Sequence, residues 1–259
     1  MTTVLFRFYS ELNALLSEKY RFRDNCQVFQ GSQTVKHLLE SLGIPHTEVD
    51  LILVNGTPVN FSYIPNDGER ISVYPVFESF DISTLNCLRP DPLREPQFVL
   101  DGHLGRLAAY LRMLGFNSLY HNDYSDEALA QISDAEKRIL LTRDRGLLKR
   151  RQVTRGYLLR TCEPKQQLLA VIRRFDLVSS FKPFTRCIAC NGILIKKSKE
   201  AIIGLLEPRT IQYFEKFKQC ADCGKIYWKG SHYERMLGLI DWAQKGSMDK
   251  CDEPVQPLK

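Results

Sequence analysis

Two Cys-x-x-Cys pairs, Cys187/Cys190 and Cys220/Cys223, stand 29 residues apart. Four thiolates at these spacings can wrap one tetrahedral Zn²⁺, which reads as a zinc ribbon over residues 181–240. Asn191-Gly192 and Gly224 follow the two pairs and permit the tight turns that aim backbone amides at sulfur. Four sulfurs leave no position for a reacting water, so the expected role of the zinc is structural. The alternative, a redox dithiol, usually comes as a single pair at a helix start. The other cysteines (Cys26, Cys87, Cys162 and Cys251) are scattered. In a reducing compartment that pattern means a metal site plus single thiols, not a disulfide framework.

Upstream of the ribbon the pattern alternates between strand and helix. Phe98-Val99-Leu100 is a short buried strand, and Leu104, Leu107, Ala108, Leu111 and Leu114 mark one face of a helix that Gly115 ends. Ser118 to His121, Arg138 to Thr142 and Tyr157 to Leu159 are further strands. Helices are expected through Ala128, Leu129 and Ile132 with Asp126 as a candidate cap, over about 144–151, and from Lys165 to Phe175. Such alternation predicts an α/β domain over 98–180, with a mostly parallel sheet covered on both faces by helices. Arg106 and Arg112 point to different sides of the first helix, so at least one should be a solvated charge.

Residues 1–80 read as β-β-α-β-β. Strands are expected at Val4–Tyr9, Gln27–Phe29, Leu51–Val54 and Arg70–Val76, with a helix capped by Thr34 and a tight turn at Asn55-Gly56. This order resembles the β-grasp, or ubiquitin-like, fold, and most of all its sulfur-carrier branch. Those carriers end in Gly-Gly, whereas this chain runs on through Val76-Phe77-Glu78-Ser79. A docking role toward a protein partner, or a regulatory role, fits better than carrier chemistry. Pro90, Pro92 and Pro96 mark 81–97 as a linker, and 241–259 reads as a tail that looks disordered from Gly246.

Charge divides the chain. Residues 1–100 hold 8 Lys/Arg against 12 Asp/Glu, and residues 101–259 hold 28 against 18, for a net +6. A basic part joined to an acidic part suits a polyanion partner, although many soluble domains are this basic. No apolar run approaches the roughly 20 residues of a membrane helix, and no secretory signal opens the chain, so the expected compartment is the cytoplasm, with no membrane partner.

The acids fall at strand ends. Asp101 follows the first α/β strand, Asp126 begins a helix, and Asp144 lies two residues past the third strand; Asp123 sits in a short loop. In a parallel sheet the carboxyl ends of the strands share one edge, where ligands bind. Clustered carboxylates need a cation between them, and oxygen donors suit Mg²⁺ or Mn²⁺. An Asp at a strand-to-helix junction can equally be a helix cap. Nine basic residues and one acid, Glu163, lie between Arg145 and Arg174. Arg143, Arg145, Lys149, Arg150 and Arg151 are candidate phosphate contacts, or else a solvated helix face. In the ribbon, Trp228 can stack on single-stranded RNA or pack the small core, and His232 can reach a phosphate or cap the ribbon.

The runs FVLDGHLGRLAAYLRMLGFN, NDYSDEALAQ and RILLTRDRGLLKRR, with the Tyr-Trp-x-Gly-Ser-His ending of the ribbon, resemble the Mut-seven C-terminal RNase family of PIN-like nucleases over about 97–236. A ubiquitin-like domain is a known companion of that family. The resemblance implies a PIN-like nuclease with catalytic metal ligands at Asp101, Asp126 and Asp144. It also implies a Mg²⁺- or Mn²⁺-dependent ribonuclease that holds RNA on its basic helix and ribbon. Ala109-Tyr110 stands where the family commonly has a basic-aromatic pair, which weakens any substrate role at 109. The competing expectation is a non-catalytic RNA- or ribosome-binding module.

Overall fold

A computed structural model describes residues 1–75, 88 and 95–248. The amino-terminal part holds β1 (Thr2–Phe8), β2 (Asp24–Phe29), α1 (Val35–Ser41), β3 (Val49–Val54), β4 (Thr57–Pro58) and β5 (Arg70–Pro75). Next come β6 (Phe98–Leu100), α2 (Gly105–Met113), β7 (Ser118–Tyr120), α3 (Asp126–Ala135), β8 (Ile139–Thr142), α4 (Arg145–Leu148), β9 (Gly156–Leu158) and α5 (Pro164–Arg174). The remainder holds β10 (Leu194–Lys197), α6 (Lys199–Ile202), α7 (Pro208–Tyr213), β11 (Phe217–Cys220), β12 (Ile226–Trp228) and α8 (Ser231–Met248). Residues 81–87 and 89–94 of the expected linker and residues 249–259 of the tail lie outside the described residues.

Two compact units emerge, and neither is continuous in sequence. One takes in the described residues of Met1–Glu95 and Asp126–Leu158, the other those of Pro96–Ser125 and Leu159–Asp252.

The first unit is built on a five-stranded sheet in the order β2-β1-β5-β3-β4, the β-grasp arrangement. β1 runs antiparallel to β2 and parallel to β5. Its alternation places Val4, Phe6 and Phe8 inward, where they meet a core that includes Leu39, Ile52, Ile71 and Val73. Thr34 caps α1 by accepting from the His37 amide. Asn55 and Gly56 have φ of +49° and +88°, the left-handed pair that a two-residue hairpin turn requires. In the same unit β8 and β9 are parallel, with Leu140 beside Gly156 and Thr142 beside Leu158. All four residues of β8 are buried, as a strand covered on both faces should be.

The β-grasp part is joined to this second stretch by polar contacts. The buried Glu48 carboxylate accepts from the Leu158 amide at 2.7 Å. His46 bridges Glu40 (2.8 Å) and the Val153 carbonyl (2.8 Å). A carbonyl can only accept, so the ring nitrogen facing Val153 carries the proton. Lys149 donates to the Glu40 carbonyl at 2.6 Å and Arg145 to the Leu15 carbonyl at 3.2 Å.

In the second unit β6 and β7 are parallel. Phe98, Phe116, Phe175 and Phe181 form a chain of edge-on rings with centroids 5.9–6.0 Å apart. Gly115 has φ +99°, and a Cβ there would lie 2.2 Å from the Lys182 carbonyl oxygen, so only glycine ends α2 this way. The ribbon is an antiparallel sheet in the order β10-β11-β12.

The α/β class thus holds, with parallel strands, flanking helices, a β-grasp sheet and a cysteine ribbon. Three details differ from expectation. α4 is one turn long and does not reach 151. Asp126 is the first residue inside α3, where a carboxylate meets the positive helix end, rather than its cap. α8 crosses the expected boundary at 240 and extends to Met248, because Ile240 and Ala243 are buried and Gly246 accepts from Arg173 of α5 at 2.6 Å. Among the described residues no helix is long and apolar enough to cross a membrane.

Candidate functional site

The ribbon brings Cys187, Cys190, Cys220 and Cys223 together, with all four sulfurs within 4.8 Å of one another. The Cys187 and Cys223 sulfurs are 3.6 Å apart, and those of Cys190 and Cys220 are 3.4 Å apart. Bonds of about 2.3 Å to one tetrahedral Zn²⁺ would set sulfurs roughly 3.8 Å apart, so the donor set and its spacing suit zinc. Among the described residues this is the one group of three or more His, Cys, Asp or Glu side chains so gathered.

Local backbone explains the gathering. Asn191 takes the left-handed conformation at φ +74°, and its amide reaches back to the Cys187 carbonyl at 2.9 Å. Gly192 is needed for space: a Cβ there would lie 2.7 Å from the Cys220 sulfur. Gly224 does for the second knuckle what Asn191 does for the first, at φ +71°. Burial opposes ionisation of Cys187, but the Tyr227 hydroxyl, 3.0 Å from its sulfur, and amides of its knuckle hold that thiol down at about 7. Burial, with the crowding of the other thiols, pushes Cys190 up to about 12. Burial and the neighbouring Cys187 also raise Tyr227.

Arg112 is a site residue that sequence reasoning left open. It is 4% exposed, and its guanidinium donates to the carbonyls of Ser118 (2.9 Å), Ile188 (3.2 Å) and Ala189 (2.8 Å). The last two lie within the first cysteine pair. Burial lowers the Arg112 pKa, and Cys190 and Cys187 oppose that. Arg106, by contrast, is exposed, as one of the two was expected to be. Asn191 secures the same junction, accepting from the Ser118 amide and donating to Asn117 at 2.7 Å. A basic residue facing inward beside a short strand was the available signal.

The expected catalytic acids divide between the units. Asp101 is in the second, Asp126 and Asp144 in the first. Asp101 directly follows β6 and caps the turn after it, accepting from the Gly102 amide at 2.6 Å. Its side chain is 13% exposed, and its other oxygen lies 3.1 Å from His103. Asp144 caps α4 through the Gly146 amide at 2.7 Å and is exposed. Asp126 lies 3.4 Å from Arg150, which also binds Glu127 at 2.8 Å. Asp123 is 87% exposed, beside His121.

Of the expected RNA contacts, Arg145 and Lys149 hold β-grasp carbonyls and Arg150 holds acids of α3. Arg143 and Arg151 are exposed. In the ribbon part, His232 is exposed and Trp228 is 39% exposed, its ring 6.3 Å from that of Phe214.

Residues 96–240 match the family of the Mut7-C RNAse domain, and residues 1–81 match the Mut7-C ubiquitin domain. No curated protein and no solved structure matches the chain.

Proposed function

The chain belongs to the Mut7-C RNAse domain family, with a Mut7-C ubiquitin domain ahead of it, and from that premise we propose a metal-dependent ribonuclease. The family match over 96–240 carries this reading. It is supported within each unit: Asp101 directly follows β6 in the second, and Asp144 lies two residues beyond β8 in the first, at the carboxyl ends of parallel strands where ligand-binding groups stand. Asp101, Asp126 and Asp144 would hold Mg²⁺ or Mn²⁺, and their hard oxygen donors fit such an ion. When bound, the ion supplies charge stabilisation to a phosphodiester under attack by water.

The protein's own residues supply placement. Each cap bond engages one oxygen of Asp101 or Asp144 and fixes its rotamer. Arg143 beside Asp144, with Arg151, offers cations to a phosphate. The four ribbon cysteines would hold zinc as a closed, structural site. Arg145 and Lys149 are better assigned to holding the β-grasp part than to RNA, which gives that part a docking role within its unit.

A second reading, a non-catalytic RNA-binding module, is favoured by one observation. All three acids already serve local structure, as two caps and an ion pair. The two separate by turnover. Purified protein with Mn²⁺ is expected to cut a mixed single-stranded RNA, and Asp101→Asn to lower the rate at least a hundred-fold. Equal cutting by the variant would assign the activity to a contaminant and leave the binding module.

A further inference from the structure

Two cavities border α8 between His232 and Trp242. One, of about 630 Å³, lies at the ribbon sheet and is lined in part by Phe184, Lys196, Lys218, Trp228 and Tyr233. The other, of about 780 Å³, is lined in part by Tyr110 of α2, Lys165 of α5, and His232, Arg235 and Trp242 of α8. Ile188 and Met236 line both, so the two adjoin as one groove within the second unit.

The groove is strongly cationic. Six Lys or Arg line the first cavity against one acid, Glu215, whose carboxylate sits 2.6 Å from Lys199. The second cavity adds Lys165 and Arg235, and no acid among its described lining. Strand register sharpens the point. Lys196 stands directly opposite Lys218, and Lys218 opposite Tyr227. Like charges in opposed positions cost a sheet stability. Lys218 relieves its share by donating to the Phe184 carbonyl at 2.7 Å, while Lys196 is exposed with no bonded partner among the described residues.

The groove is also aromatic. Trp228 is exposed at the ribbon end. Tyr233 lies 4.9 Å from Phe184 with Lys229 5.1 Å over its ring, and Lys165 sits 5.8 Å over Trp242. Interleaved cations and ring faces match a strand whose bases are unpaired, because a duplex hides its base faces.

The geometry points to this groove as a track for single-stranded RNA, with bases stacked at Trp228 and Trp242 and phosphates along Lys196, Lys229, Lys165 and Arg235. It rests on the reading above that RNA is the substrate. The test is fluorescence anisotropy of a labelled single-stranded 12-mer RNA with the zinc-loaded full chain and no added Mg²⁺ or Mn²⁺. Trp228→Ala and Trp242→Ala should each weaken binding about ten-fold. Trp242→Phe should restore most of the loss. The exposed pair Lys196→Gln and Lys229→Gln should flatten the slope of log affinity against log salt by about 1.4. Unchanged affinity in variants that keep their zinc and helix content overturns the track. So does tighter binding of a duplex, or of a polyglutamate peptide, which would make the groove an acidic-protein site. RNA cutting is followed separately: aromatic-dependent binding without Mn²⁺-dependent turnover removes the ribonuclease and keeps the groove.

Discussion

Arg112 illustrates how little a cation's identity says about its place. On a helical wheel it is one more charge on α2, yet its guanidinium is buried and satisfies three carbonyls, two of them between Cys187 and Cys190. Four thiolates around Zn²⁺ carry a net charge of −2, so a fixed cation beside the first knuckle offsets part of that charge. Arg112→Met leaves those carbonyls unpaired and removes the countercharge. It should destabilise the second unit by about 3 kcal/mol, read by denaturant midpoint. It should also weaken zinc at least ten-fold against a competing chelator. Arg112→Lys keeps the charge but loses the planar fork, so it should recover zinc affinity more than stability. Retained affinity in Arg112→Met would reduce the residue to packing. The cysteines were legible at this scale because metal-ligand spacing is a local property. Arg112 was not, since its three acceptors lie 6 to 77 residues away in sequence.

Elements were legible where a local rule fixes both ends. Thr34 and the Asn55-Gly56 turn bound α1 and the β3-β4 hairpin as read from residue type. Gly115 was expected to end α2 and does. What residue type did not reveal is that Lys182 closes the space where a side chain would stand. Gly115→Ala therefore meets both a left-handed backbone and a carbonyl. It should lower stability by about 2 kcal/mol or more, measured as a drop in melting temperature. A neutral outcome would mean that the Lys182 segment yields freely. α4 is shorter than expected, and α8 runs past the boundary expected at 240. The run from Arg145 to Arg151 is basic enough to look like a helix, but its chain turns away after Leu148. α8 extends because Ala243 is buried and Gly246 lies close against Leu169 of α5, a contact no helical propensity records.

At the scale of the whole molecule, two units are each assembled from separated stretches of chain, and they should answer metal removal differently. Chelation should strip the slow amide exchange from β10 to β12, because a ribbon this small would owe its order to an ion held by the four cysteines. β1 and β5 should keep theirs, since Phe6, Phe8, Ile71 and Val73 form a core without metal. Unchanged protection in β10 to β12 after complete zinc loss would refute the structural role of the cysteine cluster. The amino-acid sequence by itself determined the periods of strand and helix, the caps and turns, the cysteine spacing and the family, because each depends on residues close along the chain. Only the tertiary structure decided that Glu48, His46, Lys149 and Arg145 hold the β-grasp part to Asp126–Leu158, and that Arg112 is sealed beside the knuckle. A polar group is buried or solvated according to which distant carbonyls or carboxylates the packing brings to it.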